Sequence, residues 1–419
     1  MITLVLHPTA HPVRSRAIVP AAGLISLVVL LHPHPTCAVG FRLPNQDPEA
    51  IARGNAFVAT ADNPSAIYYN PAGIAQLDGQ NLRVGLYLVS AGTEYESASG
   101  ATADVDSRFQ PVPQIYYVNR PDNNALTFGL GLYAPYGLSL DWGRNTPFNT
   151  LAEEGKLVYL SFNPVVAWQV HRTLSIGVGL TINHSEAEFK QGVGFSPGDQ
   201  FRVEGDDSDF GLNAGILWQP HEKWSFGANY RSATTLDYQG TSQTTPSAPP
   251  PIYFASTPTR AMIEFPQFVV MGVSFRPTTN WNVEFNADWT DWDTLDQIVF
   301  RGTPYPIALV LNYESSWMYE FGVTRLLPRH WFVSVGYFYS ENSSPDAGFN
   351  PIIPDTDLHL GSIGFGHKGR RWDFALAYHF GYNSGRTVSG SPTSFSGQSA
   401  DGEYRVLNHA INLAGSLRF

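Results

Sequence analysis

The sequence predicts an all-β protein: a 14-stranded antiparallel transmembrane β-barrel with an N-terminal hatch plugging its lumen. Three observations carry this. Apolar and polar residues alternate with period 2 in stretch after stretch beyond residue 80, the connections between these stretches alternate in length, and residues 39–80 are apolar without alternating. Composition agrees: 15% of residues are charged and 13% aromatic, with 38 Gly and 31 Pro among 419 residues. No apolar run after residue 40 approaches the ~20 residues that a transmembrane helix requires. A membrane protein with this pattern crosses with strands.

Residues 1–38 read as a signal peptide. Arg14 and Arg16 form a basic patch, Ala17 to Leu31 is apolar, and Thr36-Cys37-Ala38 offers small residues for cleavage. Cys37 is the only cysteine, so the mature chain is expected to hold no disulfide and no Cys metal site. The formal net charge of −11 becomes more negative once the two leader arginines are removed, which argues against a nucleic-acid partner.

Residues 39–80 are assigned to the hatch. The stretch "ATADNPSAIYYNPAGIAQL", residues 59–77, is apolar enough to be buried, yet Pro64, Pro71 and Gly73 break any long helix or strand. A fourteen-stranded barrel is wide enough to need filling, and this segment supplies the filling. Ile67, Tyr68 and Tyr69 are expected to pack inside, and Asn70 to form the turn that fixes the fold of the plug.

Residues 81–419 are assigned to the barrel. Trp281, Val283, Phe285, Ala287 and Trp289 alternate with Asn280, Asn282, Glu284, Asn286 and Asp288, so one face is greasy and the other wet. Trp372 to Phe380 and Trp224 to Tyr230 repeat the pattern, with aromatic residues near strand ends as in interfacial girdles. Short turns such as His171-Arg172 and Pro277-Thr278 alternate with long loops at 135–156, 241–259, 343–355 and 386–403. That arrangement fits an outer-membrane barrel with both termini in the periplasm. The final strand runs to Phe419, a terminal aromatic of the kind read by the barrel-insertion machinery.

Several blocks resemble the FadL/TodX family of outer-membrane transporters of long-chain fatty acids and other hydrophobic compounds. They are "GFRLPNQDPEAIARGNAFVATADNPSAIYYNPAGIAQLDG" after the leader, "FGLGLYAPYGLSLDW" at 128–142, "LSFNPVVAWQV" at 160–170, "GVSFRPTTNWNVEFNADWTDWDTLDQIVF" at 272–300, and the terminal "INLAGSLRF". Asn70-Pro71-Ala72 matches the family's NPA motif in its hatch, flanked here by Gly73 and by Asn63-Pro64. The resemblance implies passive uptake of a greasy ligand, captured by extracellular loops and released sideways through the wall. A kinked third strand has that role in the family.

The residues offer places for each step. Pro111 and Pro113 in the second strand cannot donate ladder hydrogen bonds, and Gly129 and Gly131 in the third offer a kink beside them, so a lateral opening is expected there; the alternative is an ordinary bulge near the rim. Tyr136, Leu138, Leu140, Trp142, Phe148 and Leu151 are apolar residues in an expected water-facing loop, a surface for ligand capture or a lid packed on other loops. Arg83, Arg231, Arg260, Arg276 and Arg418 fall on wet faces, where each pairs either with a ligand carboxylate or with a lumen Asp or Glu.

No catalytic residue, metal site or cofactor is assigned. Gly194-Phe195-Ser196-Pro197-Gly198 satisfies G-x-S-x-G but sits between two strands with no following helix. The histidines lack paired ligand spacing, and Asp288, Asp291, Asp293 and Asp296 lack EF-hand spacing. The proline-rich stretch 245–258 reads as a surface loop. The expected partners are a fatty acid or hydrocarbon, outer-membrane lipid and lipopolysaccharide, and the insertion machinery, with the chain a monomer. The competing reading is a barrel without transport, either an adhesin-like surface protein or a lipid-modifying enzyme.

Overall fold

The computed structural model describes residues 40–419 except 106–108, 123, 196–197, 246–254 and 304–306. The predicted leader at 1–38, Ser196, Pro197 and most of the proline-rich loop therefore lie outside the described residues.

Fourteen antiparallel strands close into one barrel. They are β1 (Gly79–Glu96), β2 (Thr102–Asp104 and Gln110–Arg120), β3 (Leu126–Asp141), β4 (Glu154–His171), β5 (Leu174–Gly192), β6 (Gln200–His221) and β7 (Trp224–Arg231 and Thr234–Thr244). The second half comprises β8 (Thr257–Phe265 and Phe268–Phe275), β9 (Trp281–Thr290 and Gln297–Arg301), β10 (Ile307–Val310 and Ser316–Leu326), β11 (Trp331–Ser340), β12 (Leu358–Lys368), β13 (Trp372–Tyr382 and Arg386–Val388) and β14 (Gly402–Arg418). The wall closes where β14 lies against β1, from Asn81↔Arg418 to Glu96↔Glu403. Among the described residues no helix is long and apolar enough to cross a membrane.

Alternation sorts side chains as a membrane barrel requires. Trp281, Phe285, Trp331, Val333, Phe365 and Phe374 point outward and are exposed, whereas Asn163, Asn213, Asn229, Asn286 and Asn412 point inward and are buried. Two adjacent strands break this parity. β7 is interrupted after Arg231 and β8 after Phe265, and in each the inward-facing set shifts by one residue across the break: Arg231 then Thr234, Phe265 then Phe268.

Residues 40–78 lie inside the barrel, 47–78 at the end that carries both Gly79 and Phe419 and 40–46 reaching toward the extracellular loops, where the Gly40 N–H meets Asp355. Two single-turn helices, α1 (Pro48–Ile51) and α2 (Ala66–Tyr69), are followed by a 3-10 turn over Pro71–Gln76. Proline at the first position of α1 and of the 3-10 turn suits a site whose N–H has no helical partner. Asn70 ends α2 and caps the next turn, its Oδ1 accepting from the Ala72 N–H at 3.2 Å. The same side chain donates to the Val58 carbonyl at 2.8 Å and to Ile216 of β6 at 3.0 Å, joining the plug to itself and to the wall. Asn63 holds the start of α2, its Oδ1 accepting from the Ser65 N–H at 2.9 Å, while Pro64 accepts from Ile67. Gly73 packs so closely on Ala61 that a Cβ there would come within 2.6 Å of the Ala61 methyl.

The wall receives this plug on glycines. A Cβ at Gly215 would meet Pro71 Cδ at 2.8 Å, one at Gly227 would meet Ala59 Cα at 2.8 Å, and one at Gly336 would run into Arg53 and Gly54. Three buried ion-pair systems and one half-buried one add to the seating: Arg42 with Asp288 (2.8 Å), Arg53 with Glu284 (2.8 Å) and Arg83 with Asp47 and Glu49 are buried, and Lys368 with Glu49 (2.9 Å) and Asp62 (3.3 Å) is half-buried.

Candidate functional site

The wall is not continuous. β2 pairs with β1 along its length, from Gly79↔Arg120 to Val89↔Gln110, but its pairing with β3 runs only from Asn119↔Phe128 to Ile115↔Leu132. Beyond that point β2 presents Pro111 and Pro113 at an unpaired edge, where a residue without an N–H is tolerated. β3 turns away, and its register with β4 shifts between Tyr133 and Tyr136, at Ala134 and Pro135. The kink expected at Gly129 and Gly131 is therefore placed at Ala134-Pro135 instead. The two glycines lie in the regular ladder and are hollows for the plug: a Cβ on either would stand 2.9 or 2.8 Å from the Ile67 side chain.

A strap formed by residues 41–46 spans the gap. On one side the Leu43 N–H donates to the Pro135 carbonyl, the Gly137 N–H donates to Phe41, and Gln46 Nε2 donates to the Ala134 carbonyl, at 2.7–2.8 Å. On the other, Gln114 of β2 donates to the Asn45 carbonyl and Tyr116 to the Gln46 carbonyl, each at 3.0 Å. The strap thus satisfies backbone groups that the missing ladder leaves over. Its outer end is held by Asp355, which accepts from the Gly40 N–H at 2.9 Å and the Ser343 N–H at 2.6 Å; burial pushes this carboxyl above its ordinary range.

Above the plug the lumen is apolar. Phe41 meets Phe265 and Trp292 edge-on, with ring centroids 5.5 and 5.0 Å away. Over it opens a cavity of about 90 Å³ lined by Leu138, Leu157, Phe189, Tyr238 and Phe300 among others. A second space of about 680 Å³, open at the extracellular face, is lined by Leu151, Val193, Phe195, Ile307, Phe349 and Phe395. Leu309 borders both, so surface groove and inner cavity adjoin.

The residues expected in one exposed loop are divided among these places. Tyr136, Leu138 and Leu140 belong to β3, which runs to Asp141, and all three are buried. The reason is that β3 continues past its bulge, so these side chains turn inward instead of reaching water. Trp142 and Phe148 are buried under the loop, with Trp142 Nε1 donating to the Pro351 carbonyl at 2.9 Å. Leu151 alone of the set lines the outer groove. Sequence reading missed Phe195 and Phe395, which stack at 5.4 Å with exposures of 50% and 68%. The available signal was a lone Phe in each of two Gly- and Ser-rich loops.

Of the five arginines, Arg83 and Arg418 are tied to carboxylates, Arg83 to Asp47 and Glu49 and Arg418 to Asp373 at 2.5 Å. Arg276 is half-buried at the periplasmic mouth, in a small polar recess with Asp62 and Lys368. Arg260 faces outward, contrary to the wet-face assignment, because the break after Phe265 reverses the parity of β8. Arg231 is buried with no ion pair among the described residues. It donates to Tyr133 Oη at 2.8 Å and lies 5.2 Å from the Tyr68 ring. Asp288, weighed as a cation ligand, is occupied by Arg42, and no group of acidic, His or Cys residues among the described residues has metal-binding geometry.

Comparison with known proteins places this architecture. The family described as outer membrane protein transport protein (OMPP1/FadL/TodX) matches residues 29–419. The long-chain fatty acid transport protein of Escherichia coli O6:H1 is 20% identical over 341 residues, covering 71% of this chain and 76% of that protein. Outer membrane protein P1 of Haemophilus influenzae Rd is 20% identical over 83% of this chain and 86% of its own length. The crystal structure of a Pseudomonas aeruginosa FadL homologue superposes with a TM-score of 0.80 at 17% identity, covering 91% of this chain and all of that one. The Pseudomonas putida toluene transporter TodX gives 0.72 at 16%, with the same coverage of this chain and 100% of its own. With an outer-membrane barrel, a filled lumen and a family match over nearly its whole length, this chain belongs to the outer membrane transport protein family OMPP1/FadL/TodX.

Proposed function

We propose that the protein takes up long-chain fatty acids or aromatic and aliphatic hydrocarbons passively, capturing them in the outer groove and releasing them sideways between β2 and β3. The observation that carries this is the strap. Two apolar spaces that adjoin at Leu309 lead from Phe195 and Phe395 toward Phe41, and the same short segment that begins at Phe41 bridges the stretch where, among the described residues, β2 and β3 are unpaired. A molecule leaving there passes from an apolar cavity to lipid, and avoids the roughly 25 cal/mol lost for each Å² re-exposed to water. The competing barrel without transport gives no role to an apolar cavity ending on a gap in the wall.

In this reading the monomer stands among outer-membrane lipid, with lipopolysaccharide around its outer strand ends. Phe419, 67% exposed, is presented to the insertion machinery. The test is a disulfide between cysteines introduced at Asn45 and Gln114, with uptake of labelled oleate and toluene measured before and after reduction. Oxidation is expected to stop uptake and reduction to restore it. Uptake that ignores the lock, with the barrel folded, refutes lateral release.

A further inference from the structure

The periplasmic rim is unevenly charged. On the arc from β9 to β13 the ionisable outward and turn residues are Arg325, Arg329, His330, His367, Arg370 and Arg371, all of basic type. The one acidic residue on this stretch of rim, Asp373, is buried and paired with Arg418. Lys368 turns in to Glu49 and Asp62 and is not part of the patch. Among the described residues Arg329, Arg370 and Arg371 are in no ion pair. At the outer ends of β4–β6 the outward charges are instead interleaved, Lys190 and Arg202 lying between Glu154, Glu188 and Glu204. The basic arc therefore belongs to the periplasmic side.

The turn joining β10 to β11 marks this arc as more than a surplus of charge. Arg329 and His330 both adopt left-handed backbone, with φ of 61° and 64°. Tight hairpins put Asn or Gly at such positions, because a Cβ there costs energy. An arginine and a histidine in succession held in that conformation are a strained arrangement of the kind found at functional positions.

The neighbours of these cations identify the anion. Trp331 is the cross-strand partner of His367, with rings 5.4 Å apart, and Arg325 lies 5.2 Å from the Trp281 ring. Trp372 is 67% exposed beside Arg371. Immediately farther along the same strands, Val333, Phe365 and Phe374 are exposed on the bilayer-facing side. The cations thus stand one step below the apolar band, among interfacial tryptophans, at the depth of phosphodiester headgroups. We infer that this arc binds anionic phospholipid of the inner leaflet, with Arg329, Arg370 and Arg371 on the phosphate and Trp331 and Trp372 against the glycerol and upper acyl region.

The full-length protein, reconstituted in nanodiscs of phosphatidylcholine with a minor fraction of phosphatidylglycerol, provides the test, with retained lipid counted by native mass spectrometry. The wild type should enrich phosphatidylglycerol at low salt. The variant Arg329→Gln/Arg370→Gln/Arg371→Gln should lose about fivefold in preference for each arginine removed. Equal enrichment by the two proteins, or none by the wild type, overturns the inference. Arg329→Gly separates structure from binding, since glycine relieves the left-handed strain. It should melt higher in neutral detergent yet retain about fivefold less phosphatidylglycerol. Higher melting with undiminished enrichment overturns the inference. So does co-sedimentation with peptidoglycan sacculi that the triple variant loses while its lipid preference stays intact, which would assign the arc to the cell wall.

Discussion

The two halves of the lumen are built on opposite terms. The lower half is filled by residues 40–78, seated on glycines and bound by charges: Arg53 meets Glu284, and Thr60 and the Ala59 N–H share that same carboxylate. The upper half holds large apolar side chains around a cavity of about 90 Å³ that adjoins a groove of about 680 Å³. A polar interior without room is a seal, because each buried charge needs its partner in place. An apolar interior with room is a receptor, because a greasy ligand needs only surface to cover.

The largest effect should come from breaking the seal electrostatically. Glu284→Gln leaves Arg53 buried without its counter-charge, which costs about 3–5 kcal/mol. Residues 47–62 should then exchange amide hydrogen much faster, as hydrogen-exchange mass spectrometry would show. A steric break comes next. Gly336→Leu drives a side chain into Arg53 and Gly54 and should cost about 1–3 kcal/mol or more. In planar bilayers this variant should conduct ions where the wild type does not.

Changes in the receptor half should leave the seal intact. Phe195→Ser with Phe395→Ser removes the stacked pair at the groove, forfeiting about 1.5–3 kcal/mol of apolar contact per ring if the ligand covers it fully. Uptake at low ligand concentration should fall at least tenfold with unchanged melting temperature. Arg231 lies at the boundary between the halves. If it serves a ligand carboxylate, Arg231→Met lowers oleate uptake severalfold and spares toluene; equal loss of both identifies it as a staple between Tyr68 and Tyr133.

The smallest effect is acid loosening of one corner. Burial alone would raise the carboxyls of Glu49 and Asp62, but Lys368, together with Arg83 at Glu49 and with Arg53 and Arg276 at Asp62, outweighs it and holds them below their ordinary values of 4.5 and 3.8. Depressed carboxylates stabilise the folded state above their unfolded pKa and lose that contribution as pH falls through the folded one. Amide protection around α1, taken relative to the intrinsic exchange rate at each pH, should be the same at pH 7 and pH 5, and fall only below about pH 4.

Much of the barrel was legible because alternation is local: each strand declares its two faces within a few residues. What alternation cannot carry is parity across an interruption. Arg260 and Arg276 share parity in the chain, yet the break at Pro266 and Gln267 turns one outward and leaves the other at the mouth. The same limit applies to β3, whose Pro135 and Gly137 read as the start of a loop although the strand resumes after its bulge. The seating glycines were visible as small residues on wet faces. Their purpose was not, because it lies in a backbone brought against them from more than a hundred residues away.

Arg83 touches three parts of the molecule at once. It stands on β1, holds Asp47 of the plug, and donates from Nη1 to Ser416 Oγ of β14 at 2.8 Å. The joint that turns an open sheet into a cylinder is therefore fastened to the stopper inside it. Seam and plug share one buried guanidinium, so a disturbance of either reaches the other through Arg83.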